Sequence, residues 1–382
     1  MRQTSKSRTA FRDAGTAGVV VTYALRHGSD NHVAMTRAAI AAKLAQLKQF
    51  AFAGPYDPAV RYGAPLYLVP SDTLVGVEAA ANLGVRTEDD VFGGVVPTAF
   101  AATKTITHPL VHPQAPAPEG WSHDFAERVR EAVLHGYTAF SRDDAHRAAA
   151  RLLDHGPTRI KLARGIGGHG QFVIQASGDL NALLDEIDEA ELASEGVVLE
   201  EHLDDVTTYS IGQVRVAGLT ASYWGTQRLT HNNRGVEVYG GSDLVVVRGG
   251  FDALRALPLS TDAQLAISRA LVYDSAAETC FAGFFSSRRN YDVVEGNDAR
   301  GRRRAGVLEQ SWRVGGASAA EVEALLAFRA NPALMVVRAA TVETYGASPA
   351  LPEDAVVFFA GDDVRVGPVT HYALVEPHGN VR

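Results

Sequence analysis

The stretch Leu308-Glu309-Gln310-Ser311-Trp312-Arg313-Val314-Gly315-Gly316 places three polar side chains at alternate positions and ends in two glycines. Successive side chains of a β-strand point to opposite faces of its sheet, so Glu309, Ser311 and Arg313 are expected to share one face. A carboxylate, a hydroxyl and a guanidinium in this order can bind a metal ion at one end and a phosphate or carboxylate group at the other. A cross-strand salt bridge to Arg313 is the alternative interpretation.

The opposite face of this stretch carries Leu308 and Trp312, which are expected to point away from the polar side chains. An earlier strand is predicted at 290–294, and a hairpin between the two strands would bring Asp292 beside Glu309. Mg²⁺ prefers oxygen ligands and is commonly held by one or two carboxylates together with substrate phosphates. The two carboxylates therefore predict a magnesium site.

A second polar motif lies upstream, where a lysine precedes a glycine-rich turn. In the strand predicted at 158–163, alternation places Lys161 on the face opposite the two apolar side chains. The turn Gly165-Ile166-Gly167-Gly168-His169-Gly170 then leads into a strand at 171–175, which predicts a hairpin with a bare tip. Backbone amides of such a tip can approach phosphate groups closely, and Lys161 can reach the same phosphates. Taken singly, a turn and a lysine of this kind are more often structural.

The N-terminal part of the chain alternates short apolar strands with helices. The runs 19–25 and 65–70 predict strands, while 32–50 and 72–83 predict helices. Such alternation is typical of an α/β lobe with a largely parallel sheet. The proline-rich segment 108–120 that follows predicts a linker or an ordered surface loop.

Downstream of this segment, helices and strands follow each other irregularly. Helices are predicted at 124–135, from the N-cap Ser141 onwards, from Asp179 onwards and at 262–279, and strands at 197–203, 210–216, 244–247 and 305–312. The basic run 300–304 predicts a solvated hairpin tip, with a substrate-contacting loop as the alternative.

These patterns divide the chain into four parts. Residues 1–110 are predicted to form a Rossmann-like α/β lobe, and residues 111–123 a proline-rich linker. Residues 124–200 are predicted to form a small lobe with the glycine-rich turn. Residues 201–382 are predicted to form a large lobe with the metal site and a C-terminal extension.

The composition excludes several classes of function. A chain of 382 residues with 46% apolar and 21% charged residues is typical of two or three globular lobes. The net charge of −8 leaves no general basic face to displace counterions from DNA, so nucleic acid is not an expected partner. No apolar stretch approaches the roughly 20 residues that a membrane span requires. Cys280 is the only cysteine, which excludes an internal disulfide and predicts a cytoplasmic location.

Together, the motifs resemble the ATP-grasp superfamily. The resemblance rests on Arg159-Ile160-Lys161 with its glycine turn, on Leu199-Glu200-Glu201-His202-Leu203, on Asp292 and on the stretch that begins at Leu308. It covers approximately residues 124–330 and looks closest to an uncharacterised bacterial group, a domain of unknown function. The implied fold class is α/β and α+β, with an N-terminal Rossmann-like (pre-ATP-grasp) lobe followed by a two-lobed ATP-grasp fold.

The resemblance implies that the first motifs bind ATP. Lys161 would contact a phosphate and adenine N7, and a mobile flap over the phosphates would contain Gly165, Gly167, Gly168 and Gly170. The hinge strand, whose backbone groups read the adenine edge, would contain Glu200, Glu201 and Leu203.

The resemblance also implies roles for the distal motif. Asp292 and Glu309 would bind Mg²⁺, and Arg313 would hold the phosphates or an acyl phosphate intermediate. Ser311 stands where the family commonly has asparagine, and its hydroxyl would reach the metal through water.

Two further positions depart from the family pattern. Thr208-Tyr209 stands where many members carry a ribose-binding carboxylate. The additional upstream lysine of many members has no counterpart between residues 124 and 140, where Arg128 and Arg130 are the nearest candidates. Arginine is not equivalent to lysine as a donor to adenine.

The leading hypothesis is an Mg-ATP-dependent ligase that activates a carboxylate as an acyl phosphate for capture by an amine or another nucleophile, with release of ADP. An ATP-dependent small-molecule kinase and a non-catalytic ATP-binding regulatory module remain open. The expected cofactors are ATP and Mg²⁺, and the expected partners are a small-molecule carboxylate and a nucleophile. The sequence does not determine the oligomeric state, and a homodimer is compatible with it.

Overall fold

The computed structural model describes residues 10–11, 17–25, 31–165, 170–346 and 350–377. Within these ranges the strands form five sheets, of two, four, eight, three and three strands. None of the helices in the described part of the chain combines the length and the apolar character needed to cross a bilayer.

The described strands are short in the N-terminal part and long in the C-terminal part. Their bounds are β1 (Ala10–Phe11), β2 (Val19–Tyr23), β3 (Ala51–Pro55), β4 (Arg61–Tyr62), β5 (Leu66–Pro70), β6 (Leu74–Val75), β7 (Gly94–Val96), β8 (Gly136–Ala139), β9 (Thr158–Leu162), β10 (Gln171–Ile174), β11 (Val197–Glu201), β12 (Asp204–Val216), β13 (Leu219–His231), β14 (Glu237–Arg248), β15 (Phe285–Ser286), β16 (Arg288–Asn297), β17 (Arg303–Ser311), β18 (Val336–Tyr345), β19 (Val356–Asp363) and β20 (Gly367–Pro377).

The helices lie between these strands and cover the sheets. The α-helices are α1 (His32–Lys48), α2 (Val77–Asn82), α3 (His123–Val129), α4 (Arg142–Leu153), α5 (Ser177–Asp185), α6 (Glu189–Glu195), α7 (Phe251–Arg255), α8 (Thr261–Cys280) and α9 (Ser318–Ala330), and 3₁₀ helices occupy Glu88–Asp90, Phe100–Ala102 and Lys104–Thr107.

The N-terminal lobe is built on a parallel sheet of order β3-β2-β5. Its central strand is buried because Val19, Val20 and Val21 are apolar on both faces. Helix α1 connects β2 to β3 and is capped by Asn31, whose side chain accepts a hydrogen bond from the Ala34 backbone. The prediction of an α/β lobe with a largely parallel sheet is confirmed.

The helix predicted at 72–83 is wrong in its first half. Leu74 and Val75 form β6 instead, paired in parallel with β7. Gly76 follows with a φ of 86°, a conformation that glycine adopts without steric cost, and the helix begins only after it.

The small lobe is an antiparallel sheet of order β10-β9-β11-β8 with α4 and α5 packed on it. Ser141 caps α4, because its side chain accepts a hydrogen bond from the Asp144 backbone. Leu180, Leu183 and Leu184 are buried on the inner face of α5, as their spacing predicts. The predicted hairpin of β9 and β10 is also present.

The large lobe is an antiparallel sheet of order β17-β16-β12-β13-β14-β18-β20-β19. One face packs against α7 and α8, and the other packs against α9. Helix α1 of the N-terminal lobe lies against the second face as well, so Leu44 shares a core with Val214 and Leu325. The N-terminal and large lobes are therefore joined by one continuous apolar core.

The segment between the first two lobes is more buried than its prolines indicate. The sequence predicts a linker over residues 111–123, yet Val111 and Ala115 belong to the core of the small lobe. Pro109 O accepts a hydrogen bond from Thr138 N, which attaches the segment to β8. The helix predicted at 124–135 is shorter than expected, because α3 ends at Val129.

Candidate functional site

Lys161 lies on β9, on the face opposite Ile160, which belongs to the core of the small lobe. Its side chain is only 2% exposed, and its Nζ lies 2.6 Å from Glu200 Oε1 on the neighbouring strand β11. The other oxygen of this carboxylate lies 3.0 Å from His108 Nε2. The structure therefore neutralises a buried ammonium with a carboxylate that is itself held by a histidine.

These contacts set the protonation of the pair. Burial lowers the pKa of Lys161, and the charge of Glu200 opposes this effect. Burial alone would raise the pKa of Glu200, but the charge of Lys161 and the hydrogen bond with His108 hold this pKa at about 2. Glu200 is therefore a carboxylate at neutral pH.

Asp292 and Glu309 lie directly opposite each other on β16 and β17. Asn290 Nδ2 donates a hydrogen bond of 2.9 Å to Asp292 Oδ1. Burial, together with the like charge of Glu309, raises the pKa of Asp292 to about 6. Two carboxylates that repel each other attract a divalent cation, so this pair fits the predicted magnesium site.

The carboxylates of Asp292 and Glu309 fit a metal ion whose remaining ligands are phosphates and waters. Among the residues that the structure describes, no cluster of three or more histidine, cysteine or carboxylate side chains could hold a metal ion. Mg²⁺ is commonly held by one or two carboxylates while phosphates and waters complete its coordination. The pair of Asp292 and Glu309 therefore suits a magnesium nucleotide better than a free ion.

Lys104 belongs to the same site, although the sequence analysis missed it. It begins a 3₁₀ helix, is 4% exposed, and places Nζ 2.6 Å from Glu309 Oε2 and 2.7 Å from the Gly165 carbonyl. Burial alone would raise the pKa of Glu309, but the charge and hydrogen bond of Lys104, together with the charges of Lys161 and Arg313, lower it. The available signal was that Lys104 is the only lysine between Lys48 and Lys161.

The two arginines considered for an upstream cation are not at the site. Arg128 and Arg130 lie at the end of α3, exposed to solvent, and pair with Asp124 and Glu127 respectively. Lys104 takes the position near the carboxylate pair because its segment, not α3, packs on β17.

Gln310 fixes the segment that carries Lys104. Its Nε2 donates to Ala101 O at 3.1 Å and to Thr103 O at 2.7 Å, and its Oε1 accepts from Tyr273 OH at 3.2 Å. Gln310 follows Glu309 on β17, so the two side chains lie on opposite faces of the strand. Glu309 contacts Lys104 on one face, and Gln310 holds the segment that carries Lys104 on the other.

A β-bulge changes the predicted alternation along β17. Asp292 pairs with Glu309, but Val293 pairs with Val307, so Leu308 is an extra residue. The prediction that Leu308 and Trp312 share a face is wrong, because they pack in different clusters: Leu308 contacts the cluster of Leu134, Leu203 and Val294, and Trp312 packs under α8.

Strand β17 ends at Ser311, so Arg313 lies beyond the strand rather than within it. Arg288, which is buried, donates to Ser311 O at 2.9 Å, Ser311 Oγ at 3.2 Å and Arg313 O at 2.6 Å. Glu321 on α9 neutralises Arg288 at 2.7 Å. The Ser311 hydroxyl thus lies beside a guanidinium, and its role as a metal ligand stays a prediction.

The hinge residues point to different sides of β11. The Glu200 side chain contacts Lys161, whereas Glu201 Oε1 lies 3.1 Å from Arg304 Nη2. Leu203 is buried. The Glu201 backbone N–H donates to His135 O, so this amide is already used within the protein.

Two of the four flap glycines can be placed. Gly165 accepts from Lys104 through its carbonyl, and Gly170 O accepts from Leu162 N at 2.9 Å. Gly170 has a φ of 71°, in the left-handed region that favours glycine. Gly167 and Gly168 lie outside the described residues.

Comparisons with known proteins bear on family and fold. The sequence model of the family described as "Protein of unknown function (DUF3182)" matches residues 20–373. The sequence matches none of the curated proteins with which it was compared.

The solved structures to which this chain is similar include three enzymes. Phosphoribosylamine–glycine ligase from Thermotoga maritima is 16% identical, with a TM-score of 0.51 over 94% of this chain and 93% of that chain. N5-carboxyaminoimidazole synthetase from Staphylococcus aureus, complexed with ADP, is 12% identical, with a TM-score of 0.49 over 96% and 95%. The biotin carboxylase–βγ-ATP complex from Campylobacter jejuni is 11% identical, with a TM-score of 0.49 over 94% and 87%. At 16% identity, the likeness to the first of these enzymes concerns the fold alone.

Proposed function

This chain belongs to the family of proteins of unknown function DUF3182 and has the ATP-grasp fold, and from that premise we propose that it is an Mg-ATP-dependent ligase. The ligase activates a carboxylate as an acyl phosphate, which an amine or another nucleophile then captures, and it releases ADP and phosphate. The observation that carries the proposal is the contact of Lys104 with Glu309, which lies opposite Asp292, and with Gly165 in the turn that follows Lys161.

The charges of this cleft suit a triphosphate. Bound Mg-ATP supplies the phosphoryl group to be transferred and a metal ion that offsets its charge. Asp292 and Glu309 are the residues that hold the metal ion, since they form the adjacent carboxylate pair. Lys161 and Lys104 add two amino groups near this pair. Their positive charge offsets the negative charge of the phosphates.

The proposed reaction has two steps, formation of the acyl phosphate and its capture by the nucleophile. The carboxylate of the first substrate attacks the terminal phosphorus, and the bond to ADP breaks. The nucleophile then attacks the acyl carbon, and phosphate leaves. Arg313, four residues after Glu309, contributes its guanidinium, which stabilises the negative oxygens of the acyl phosphate.

A non-catalytic ATP-binding module is the second candidate, and one observation favours it. The Ser311 hydroxyl faces Arg288 at 3.2 Å, a cation that disfavours a metal ligand at this position. A site with one ligand fewer can still bind the nucleotide while losing the geometry that turnover needs.

Thermal unfolding of the full chain tests nucleotide binding. We expect ATP with Mg²⁺ to raise the unfolding midpoint, since a ligand at about a hundred times its dissociation constant stabilises a protein by roughly 2.7 kcal/mol. GTP and ATP without Mg²⁺ serve as comparisons. Glu309→Gln should reduce the shift, whereas the exposed control Glu237→Gln should keep it.

The outcomes separate the candidates. An equal response of the two variants, or no response at millimolar ATP, contradicts the proposed site. Where ATP binds, product analysis with pools of acids and amines decides the reaction. ADP with a new amide supports the ligase, a stable phosphorylated product indicates a kinase, and tight binding without ADP release indicates the module.

A further inference from the structure

The carboxyl ends of β2 and β5 lie at the topological switch point of the N-terminal sheet. From β2 the chain proceeds to β3 on one side of it, and later returns to β5 on the other side. Open parallel sheets bind ligands in the crevice that such a reversal leaves at the carboxyl ends of the strands. Ser71 N donates to Tyr23 O at 2.8 Å across this point, and Asp72 follows directly.

The position of Asp72 is fixed against the large lobe. Its Oδ1 accepts from the Thr73 backbone at 2.8 Å, and Thr73 Oγ1 donates to Trp312 O at 3.3 Å. Gly94 N donates to the same carbonyl at 2.7 Å. The loop with Asp72 is thereby attached to the residue that precedes Arg313.

Two arginines from two other lobes face Asp72. Arg313 Nε lies 3.8 Å from its Oδ1, and Arg164 Nη1 lies 3.8 Å from its Oδ2. Both distances exceed the 2.7–2.9 Å of a charge-assisted hydrogen bond. The side chains are 24%, 35% and 39% exposed for Arg313, Arg164 and Asp72, so solvent reaches the space between them.

Arg164 is held in place by a different partner. Its Nε lies 2.5 Å from Glu195 Oε1, so the hydrogen bond that orients the guanidinium does not involve Asp72. The Nη1 group that faces Asp72 thus has no hydrogen bond to that carboxylate. A ligand can enter here without breaking the contact that orients the side chain.

The opposite charges of Asp72 and the two arginines restrict the class of ligand that can bind between them. A simple anion would meet the carboxylate of Asp72, and a simple amine would meet two guanidiniums. A group with one ammonium and one carboxylate satisfies both signs. We propose that Asp72, Arg164 and Arg313 form a binding site for the amino acid head group of the nucleophilic substrate, an inference that rests on the proposed ligase function.

In this site Asp72 binds the ammonium group and Arg164 binds the carboxylate. The site is connected to the carboxylate pair along the chain, because Arg313 follows Glu309 by four residues. Gly165, the neighbour of Arg164, bonds to Lys104, which also contacts Glu309. An amine held by Asp72 therefore lies between two arginines that are each connected to Glu309, one along the chain and the other through Lys104.

Ligand binding to the full chain tests this site without turnover. The probes are the twenty protein amino acids, each at millimolar concentration with Mg²⁺ and a non-hydrolysable ATP analogue, with the unfolding midpoint as the readout. For each amino acid that shifts the midpoint, its decarboxylated amine and its deaminated acid are tested as well. We expect at least one amino acid to bind, and both incomplete analogues to fail.

Variants assign the effect to Asp72. Asp72→Asn should weaken amino acid binding by roughly 30-fold or more, since it removes one partner of a charged pair. Asp57→Asn, an exposed substitution in the same lobe, should leave it unchanged. The inference is overturned if no amino acid binds the wild-type chain, if Asp72→Asn binds as well as the wild type, or if the amine or acid alone suffices.

The ATP-dependent shift, measured in the same samples, separates this inference from the proposed function. Asp72→Asn should keep the shift, which also shows that the variant is folded. A normal ATP shift without amino acid binding contradicts the head-group site alone. An absent ATP shift in the wild type contradicts the ligase proposal.

Discussion

Two ion pairs lie at the candidate site, and three of their four side chains are almost fully buried, while that of Glu309 is 30% exposed. Lys161 pairs with Glu200, and Lys104 pairs with Glu309, each at 2.6 Å. Removing two charges from water is expensive, and well-packed apolar residues often stabilise a fold at least as well as a buried ion pair. Two such pairs, one of them opposite Asp292, therefore favour the proposed binding role over a purely structural one.

Asp292→Asn should stabilise the free protein while impairing the site. Because the pKa of Asp292 is raised from 3.8 to about 6, the folded chain resists its ionisation and loses stability as the pH rises through this window. Removing the charge should thus increase the free energy of unfolding at pH 7 by about 3 kcal/mol. Urea unfolding at pH 4 and pH 7 measures the gain and its pH dependence.

Asp298→Asn, in the turn that follows β16, is a control for which the opposite change in stability is expected. Its carboxylate accepts from the backbone N–H groups of Arg300 and Arg302, which lowers its pKa to about 2. This substitution should destabilise the chain at pH 7 and leave the ATP shift intact. If Asp292→Asn instead destabilises the free protein or keeps the Mg²⁺-dependent ATP shift, the metal assignment is contradicted.

At the scale of elements, β17 organises the site through an irregularity. Its bulge at Leu308 lets Glu309 face Asp292 while Gln310 faces the segment of Lys104. Beyond the end of the strand, Arg288 donates a hydrogen bond to the Arg313 carbonyl, and Glu321 of α9 holds Arg288 in place. One strand therefore connects the metal site, the upstream lysine and the arginine.

Gln310→Leu should loosen the segment that carries Lys104. The change leaves the buried carbonyls of Ala101 and Thr103 without their donor, and each unsatisfied group costs roughly 1–3 kcal/mol. We expect faster hydrogen exchange at residues 100–107 and a smaller ATP shift. Hydrogen exchange followed by mass spectrometry measures the first effect.

Gln264→Leu is the matched control, because its side chain donates to the Leu259 carbonyl at 3.0 Å but lies at the surface. Water replaces that hydrogen bond, so exchange at residues 100–107 should stay as in the wild type. Unchanged exchange in Gln310→Leu would show that the segment is held by other contacts.

At the scale of the whole molecule, the lobes share apolar surface as well as a cleft. Helix α1 belongs to the N-terminal lobe, yet Leu44 packs with side chains of β12 and α9. A motion that separates these two lobes would expose this core. The small lobe has a core of its own, in which Ile160 and Leu199 pack under α4 and α5.

Leu44→Ala should therefore destabilise the large lobe along with the N-terminal one. A cavity at this fully buried position is expected to cost about 2–5 kcal/mol. Trp224 and Trp312 lie in the large lobe and report its unfolding by fluorescence. We expect the midpoints of the fluorescence and circular dichroism transitions to shift together to a lower denaturant concentration.

The exposed control Leu265→Ala should change neither transition by much. A fluorescence transition that stays in place while the circular dichroism transition splits would show that the lobes unfold independently. That result would contradict a continuous core between them.

The sequence by itself determined the features that depend on neighbours along the chain. Alternation placed Lys161 opposite the small-lobe core, the spacing of Leu180, Leu183 and Leu184 predicted α5, and Ser141 marked the start of α4. Strand and helix geometry repeat within a few residues, so short windows contain this information. The ATP-grasp fold could be inferred because several such motifs follow one another in order.

Only the tertiary structure decided which distant side chains meet. Lys104 reaches Glu309, His108 lies behind Glu200, and Asp72 faces Arg313, although none of these pairs is close in the sequence. Their contacts depend on how the lobes pack, and periodicity within an element contains no information about that packing. The bulge at Leu308 has the same cause, because its extra residue is defined by pairing with β16 and not by the strand alone.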